Sequence, residues 1–218
     1  MNDALRLRAR TARAAVASGA LRGAALHELL ASIPPVDRDA WVDELLGIEP
    51  TPPDVADLPR GAVPYLPCEV DEIVAMVRDA PVGPGDELVD LGAGLGRAVI
   101  LAHLLSGARA RGVEIQAPLV QRATALGAEL ALDAVSFVHA DAGETALDGS
   151  VFFLYAPCNG PMLARVVSRI EEVARRRPIV VAAVGLELPD AGWLTARASS
   201  RVSLTLYDSQ LRGVPETA

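Results

Sequence analysis

The segment Glu87-Leu-Val-Asp-Leu-Gly-Ala-Gly-Leu-Gly-Arg97 constrains the chain more than any other. Leu88, Val89 and Leu91 read as a buried strand, residues 98–105 read as the helix that follows, and Gly92, Gly94 and Gly96 supply the turn between them. Glycines at such a turn allow a ligand to lie against the main chain where a side chain would block it. The spacing narrows the ligand. A dinucleotide fingerprint, G-x-G-x-x-G, needs its third glycine at position 97, and that residue is Arg97. The pattern present is D-x-G-x-G-x-G, led by Asp90 at the strand end.

Strands and helices alternate around this loop. Residues 111–115, 135–138, 151–155 and 179–184 are strand-like apolar runs, and residues 69–78, 118–130 and 161–175 read as helices. Such alternation implies a parallel sheet covered on both faces by right-handed crossovers. Beyond Gly185, residues 193–198 and 202–207 are strand-like with almost nothing between them, which predicts an antiparallel pair at the sheet edge. The expected fold class is α/β: a doubly wound, mostly parallel seven-stranded sheet ending in an antiparallel hairpin, with an N-terminal helical extension.

In that extension, Leu5, Ala9, Ala12 and Val16 begin a periodic pattern that continues through Leu21, Leu26, Leu29 and Leu30, as two short amphipathic helices require. Pro34-Pro35 is expected to stop this region, Asp37 to cap another helix through Trp41 to Leu46, and Gly47 to end it. From Glu49 to Pro67 the prolines at 50, 52, 53, 59, 64 and 67 exclude both helix interior and central strand.

Composition sets outer bounds. Of the 218 residues, 51% are hydrophobic, enough for a sizeable core, and no apolar run reaches the length of a bilayer span. A net charge of -8 argues against a general grip on nucleic acid. Cys68 and Cys158 are too few for a disulfide framework, and reduced thiols in a cytoplasm are the expected state. The early arginines raise the alternative of a targeting segment, but no continuous apolar core follows them, and a packed helical extension is the preferred reading. His27, His103 and His139 lack ligand spacing, and two thiols without a third ligand make no zinc site, so no metal is expected.

Ligands of open parallel sheets lie across the carboxyl ends of the strands. Three acids stand there: Asp90 after the first strand, Glu114 after the second, and Asp141 after the third. A carboxylate at position 114 can accept hydrogen bonds from both hydroxyls of a ribose, and one at 141 from an adenine amino group, with the Ala142 N–H meeting the ring.

Residues from about Tyr65 to Tyr155 resemble the class I S-adenosylmethionine-dependent methyltransferases, with Asp90, Gly92, Gly94, Gly96, Glu114 and Asp141 matching that family's cofactor positions. The resemblance implies S-adenosylmethionine as cofactor. It places Asp90 and the loop at the methionine end, Glu114 at the ribose and Asp141 at the adenine, with Ala93, Arg97, Ile115 and Ala142 beside them. The segment Pro64-Tyr65-Leu-Pro-Cys-Glu-Val, followed by the glycine loop and Gly-Val-Glu-Ile, resembles lysine methyltransferases built on this fold rather than on the SET domain. In those proteins the segment before the first strand folds over the cofactor, which implies Tyr65 and Glu69 at the site's mouth. The chain then divides into a helical extension (1–48), a proline-rich linker and cofactor-covering loop (49–67) and a methyltransferase domain (68–218).

The fourth strand ends in Phe153-Leu-Tyr155-Ala-Pro157-Cys-Asn159, without the Asn/Asp-Pro-Pro-aromatic tetrapeptide of enzymes that methylate amino groups of bases or glutamine. Tyr155 and Asn159, with Tyr65, are the candidate catalytic residues, orienting an acceptor by hydrogen bonds. Against this, Tyr155 can pack under the sheet, Asn159 can cap the next helix, and Tyr65 can be a packed aromatic in a proline turn. The expected activity is methyl transfer to a nucleophilic acceptor, favoured as a protein lysine amine. The alternatives are a biosynthetic small molecule and, in another class, a cofactor-binding scaffold or regulator that transfers nothing.

Overall fold

The computed structural model describes residues 1–189 and 191–210. Three helices, α1 (Asp3–Ala17), α2 (Gly23–Ala31) and α3 (Pro35–Leu46), precede the proline-rich segment. After it come α4 (Val70–Asp79), β1 (Glu87–Leu91), α5 (Arg97–Ser106), β2 (Arg109–Glu114), α6 (Ala117–Glu129), β3 (Val135–His139), β4 (Val151–Tyr155), α7 (Gly160–Ala174) and β5 (Val180–Val184). A closing pair, β6 (Leu194–Ala198) and β7 (Leu204–Ser209), completes a 7-stranded sheet of order β3-β2-β1-β4-β5-β7-β6. The first five strands in that order are parallel, and β7 runs antiparallel to both its neighbours. Strand order therefore reverses between β1 and β4, which opens a crevice at their carboxyl ends.

Alternation along the strands decides which face each residue meets. Leu88, Phe153, Ala182 and Val184 join a core with α4, α5 and α6, while Val89, Leu91, Phe152, Leu154, Val181 and Ala183 pack on α7. By the same period Asp90 lies on the Leu88 face. The two faces are not covered alike. No helix links β3 to β4, so α7 alone covers the second face, and Val113 near the end of β2 belongs to that second cluster.

The extension forms a further layer of the first core. Leu5, Val16, Leu26, Leu30, Trp41 and Leu46 are buried with Ile73, Met76 and Leu101 in one continuous cluster. Asp37 does not cap α3. Pro34 and Pro35 begin that helix instead, because a proline at its first turn removes only an N–H that has no intrahelical acceptor. Asp37 lies in the first turn and pairs with the Met1 amino group at 3.0 Å. Gly47 ends α3 in the left-handed conformation, φ 74°.

Arg97, the first residue of α5, ties this layer to the sheet. Its guanidinium donates to Asp39 Oδ1 at 3.1 Å, to the Cys68 carbonyl at 2.8 Å and to both carboxylate oxygens of Asp43. Only 5% of Arg97 is exposed, so the pair is largely shielded from water on the arginine side. Replacing Arg97 with Met should lower the unfolding free energy by about 3 kcal/mol, the cost of leaving buried acceptors and a carboxylate without their cation. Urea denaturation checks this, and a loss below about 1 kcal/mol would mean that the staple contributes little.

Candidate functional site

The glycine loop is held by its own chain before any ligand is considered. The Gly92 and Ala93 N–H groups donate to the Val113 carbonyl at 2.8 and 3.2 Å, that of Gly94 to Glu114 Oε2 at 2.9 Å, and that of Gly96 to the Ala93 carbonyl at 2.8 Å. A phosphate cradle needs such N–H groups free and pointing at the anion. Here four of them are committed, which fits a ligand without phosphate at this turn. The glycines themselves are required in a way that differs from the sequence expectation. Gly92, Gly94 and Gly96 have φ of 91°, 54° and 78°, and a Cβ on each would lie 2.3 Å from Pro157, 2.2 Å from Tyr65 and 2.4 Å from Phe137. The space above these glycines is filled by the protein's own side chains.

Glu114 organises the next shell. It is 6% exposed, with Oε2 on the Gly94 N–H and Oε1 accepting the Gln116 N–H at 2.8 Å. Gln116, also buried, donates from Nε2 to Asp54 Oδ1 at 2.7 Å and accepts the Val55 N–H at 2.8 Å. Asp54 Oδ1 in turn accepts the Tyr65 N–H at 2.9 Å. The proline-rich segment is thereby strapped across the carboxyl ends of the strands. Its other anchor is a short antiparallel bridge between Ala62 and Cys158, where the Val63 N–H donates to the Pro157 carbonyl and the Asn159 N–H to the Gly61 carbonyl.

Beneath the strap lies a cavity of about 260 Å³ whose walls include Tyr65, Gly92, Glu114, Ile115, Ala142 and Tyr155. Ala156, between Tyr155 and Pro157 in this wall, holds φ 39°, a left-handed conformation costing a non-glycine residue about 1 to 2 kcal/mol. That turn delivers Pro157 onto Gly92. A smaller recess continues toward Asp90, Ala93, Cys68 and Phe153, and Tyr65 and Tyr155 border both spaces.

The candidate residues separate into two groups. Asp90, Gly92, Ala93, Glu114, Ile115, Ala142, Tyr65 and Tyr155 line the cavity or the recess, Gly94 lies against Tyr65 of that wall, and Gly96 stands apart against Phe137 and Ala123. Asp141 is flanked by two wall residues, Ala140 and Ala142, while its own carboxylate accepts the Gly143 N–H at 2.7 Å and faces Arg165 at 3.5 Å. Asn159 is exposed outside the wall and stands at the N-cap of α7 without a side-chain capping bond. The Glu69 carboxylate also lies outside the wall and faces Arg201 at 3.7 Å. Arg97 borders the recess, and its guanidinium is committed to Asp39, Asp43 and the Cys68 carbonyl. Gln116 and Asp54 were not among the candidates, yet they secure the strap.

Electrostatics limits what these groups can do. Burial, and then the charge of Glu114, pushes the Asp90 carboxyl from an ordinary 3.8 up to about 8. Burial pushes the Tyr65 phenol up to about 12, with Arg97 opposing, and it raises the Tyr155 phenol as well. Both tyrosines are therefore neutral donors at physiological pH and poor bases. Burial raises both thiols, Cys158 to about 11, so neither is an activated nucleophile.

No protein-family model matches the chain, and no curated protein matches it in sequence. Solved structures match its fold. The candidate methyltransferase yhhF from Escherichia coli is 17% identical, covers 70% of this chain and 92% of its own, and superposes with a TM-score of 0.56. A mutant of MtNAS in complex with S-adenosylmethionine is 16% identical over 65% of this chain and 63% of that one, with a TM-score of 0.51. An RNA methyltransferase from Salinibacter ruber, solved with S-adenosyl-L-homocysteine, is 27% identical over 69% of this chain and 97% of its own, with a TM-score of 0.49.

This chain has the class I methyltransferase fold. The fold fixes where to look for a ligand, at the strand-order reversal between β1 and β4, and the cavity described above lies there.

Asp90 also makes the site pH-dependent. Its folded value lies above its ordinary one, so the folded chain retains a proton that the unfolded chain releases. The stability this group contributes is full below about pH 4 and declines as pH rises to about 8. The melting temperature of Asp90→Asn should therefore gain on that of the unsubstituted protein from pH 5 to pH 8.5. Parallel melting curves across that range would contradict the assigned environment.

Proposed function

We propose that the protein binds S-adenosylmethionine in the cavity under the strap and transfers its methyl group to a nucleophilic acceptor that approaches past Tyr155. The observation that carries this reading is the pairing of two buried carboxylates at neighbouring strand ends with a glycine loop whose N–H groups are already satisfied. Glu114 keeps lone pairs beyond its two backbone bonds for ribose hydroxyls. The Asp90 carboxyl group accepts no hydrogen bond among the described residues and borders the recess, where a positively charged amino or sulfonium group would lower the cost of its ionisation. The residues present therefore fit this cofactor.

When bound, S-adenosylmethionine supplies an electrophilic methyl carbon on a sulfonium. The chain's own residues then have three tasks. Glu114 and the loop fix the nucleoside, the strap and Tyr65 exclude water, and the neutral Tyr155 phenol oxygen can accept an N–H of the acceptor and leave its lone pair free to face the methyl carbon. No strong base is needed if the acceptor arrives neutral, which suits tyrosines held protonated by burial.

For the acceptor, an amine is favoured, including that of a protein lysine. The support is charge: Glu69 and Glu72 raise the Tyr155 phenol against Arg97, these two acids share the single cation of Arg201, and Arg97 is itself shared by Asp39 and Asp43. A small-molecule acceptor is the second reading, favoured by the strap that covers the cavity.

Glu114→Gln should weaken S-adenosylhomocysteine binding by about 1.5 to 3 kcal/mol, because an amide group cannot accept both backbone N–H bonds and lacks the charge. Titration calorimetry measures this, and unchanged affinity would remove Glu114 from the site. Incubating the protein with methyl-labelled cofactor and a cell extract tests the transfer. Label in protein supports the amine reading, label in small molecules supports the second, and label in neither contradicts both.

A further inference from the structure

The strap must be displaced for a ligand to reach Gly94, since Tyr65 on it lies against that glycine. What holds it at the β2 side is a single buried side chain. Every polar group of Gln116 that could be used is used: its N–H on Glu114, its amide nitrogen on Asp54 and its amide oxygen on the Val55 N–H. Although Gln116 stands at the N-cap of α6, its side chain makes no capping bond there. It faces the strap instead. Asp54 extends the connection, because the oxygen that accepts from Gln116 also accepts from the Tyr65 N–H and closes residues 54–65 into a ring.

We propose that Gln116 is a positioning residue, the latch that sets Tyr65 over the glycine loop and so couples closure of the strap to the acid that faces the ligand. The coupling is short: only Ile115 separates Gln116 from Glu114, and one backbone N–H joins them. A ligand held by Glu114 shares its anchor with the strap. Release of the latch leaves the Ala62–Cys158 bridge as a hinge on the β4 side.

The affinity arm of the test rests on the S-adenosylmethionine reading, whereas the exchange arm needs no ligand. In Gln116→Leu the Tyr65 N–H keeps its acceptor, Asp54, so its hydrogen exchange reports the position of the strap and not the loss of a direct partner. We expect exchange at Tyr65 to quicken about tenfold in Gln116→Leu, with amides in β1 and α5 unchanged. Asp54→Ala, an exposed position that leaves the core intact, should free the Val55 amide to the same extent, and Asp54→Asn should restore it because its amide oxygen can accept both bonds. S-adenosylhomocysteine affinity should fall about tenfold in Gln116→Leu and in Asp54→Ala, and the double variant should lose no more than either alone. Tyr65 exchange unchanged in Gln116→Leu, or affinity losses that multiply in the double variant, would overturn the latch. Absence of S-adenosylhomocysteine binding to the unsubstituted protein would instead overturn the functional reading, and Tyr65 exchange would then decide the latch alone.

Discussion

Everything at the carboxyl edge of the sheet is referred to the carboxylate of Glu114. One oxygen holds the turn after β1 through Gly94, and the other holds the start of α6 through Gln116. A carboxylate is suited to this because it accepts several N–H bonds at once, and charge-assisted bonds of this kind are shorter and stronger than neutral ones. The cost is a buried negative charge beside Asp90. Burial first, and this neighbouring charge second, explain why the Asp90 carboxyl retains its proton well above the usual range, and why a ligand of positive charge suits the recess.

The uneven covering of the sheet is what makes room for a site. Two helical layers, α4 to α6 and the N-terminal extension, stand behind one face, whereas α7 alone covers the other, and the connection from β3 to β4 contains no helix. The vacancy at the β2 end is roofed by a segment too rich in proline to form a helix or a central strand. Such a segment satisfies little of its own backbone: the Tyr65 N–H bonds to the side chain of Asp54 within it, while the Val55 and Val63 N–H groups bond outward to Gln116 and Pro157 and the Gly61 carbonyl accepts from Asn159. Its composition is the reason it forms a cover and not another layer.

Much of the fold was legible because parallel strands buried on both faces read as apolar runs, and the acids that end them interrupt those runs. The final strand was not placed well. Expected over 202–207, it occupies Leu204–Ser209, because Ser199 closes a turn onto the Arg201 and Leu204 carbonyls while Arg201 and Ser203 reach Glu72 on α4. Such contacts join residues far apart in sequence and leave no local pattern. Gln116 and Asp54 were missed for the same reason. Asp37 looked like a cap by the local rule, but two prolines before it already start α3. The ion pairs of Arg97 were hidden likewise, because Asp39 and Asp43 stand on a helix outside the resembling region.

The position of Arg97 has a consequence for where the functional unit begins. The residue that follows the last loop glycine is neutralised by α3, so the N-terminal helices supply the counter-charge for the first turn of the helix that carries the loop. A fragment starting at the covering segment would contain every residue of the cavity and still expose an arginine stripped of both its carboxylates. In this chain the smallest part able to present the site is larger than the part that lines it.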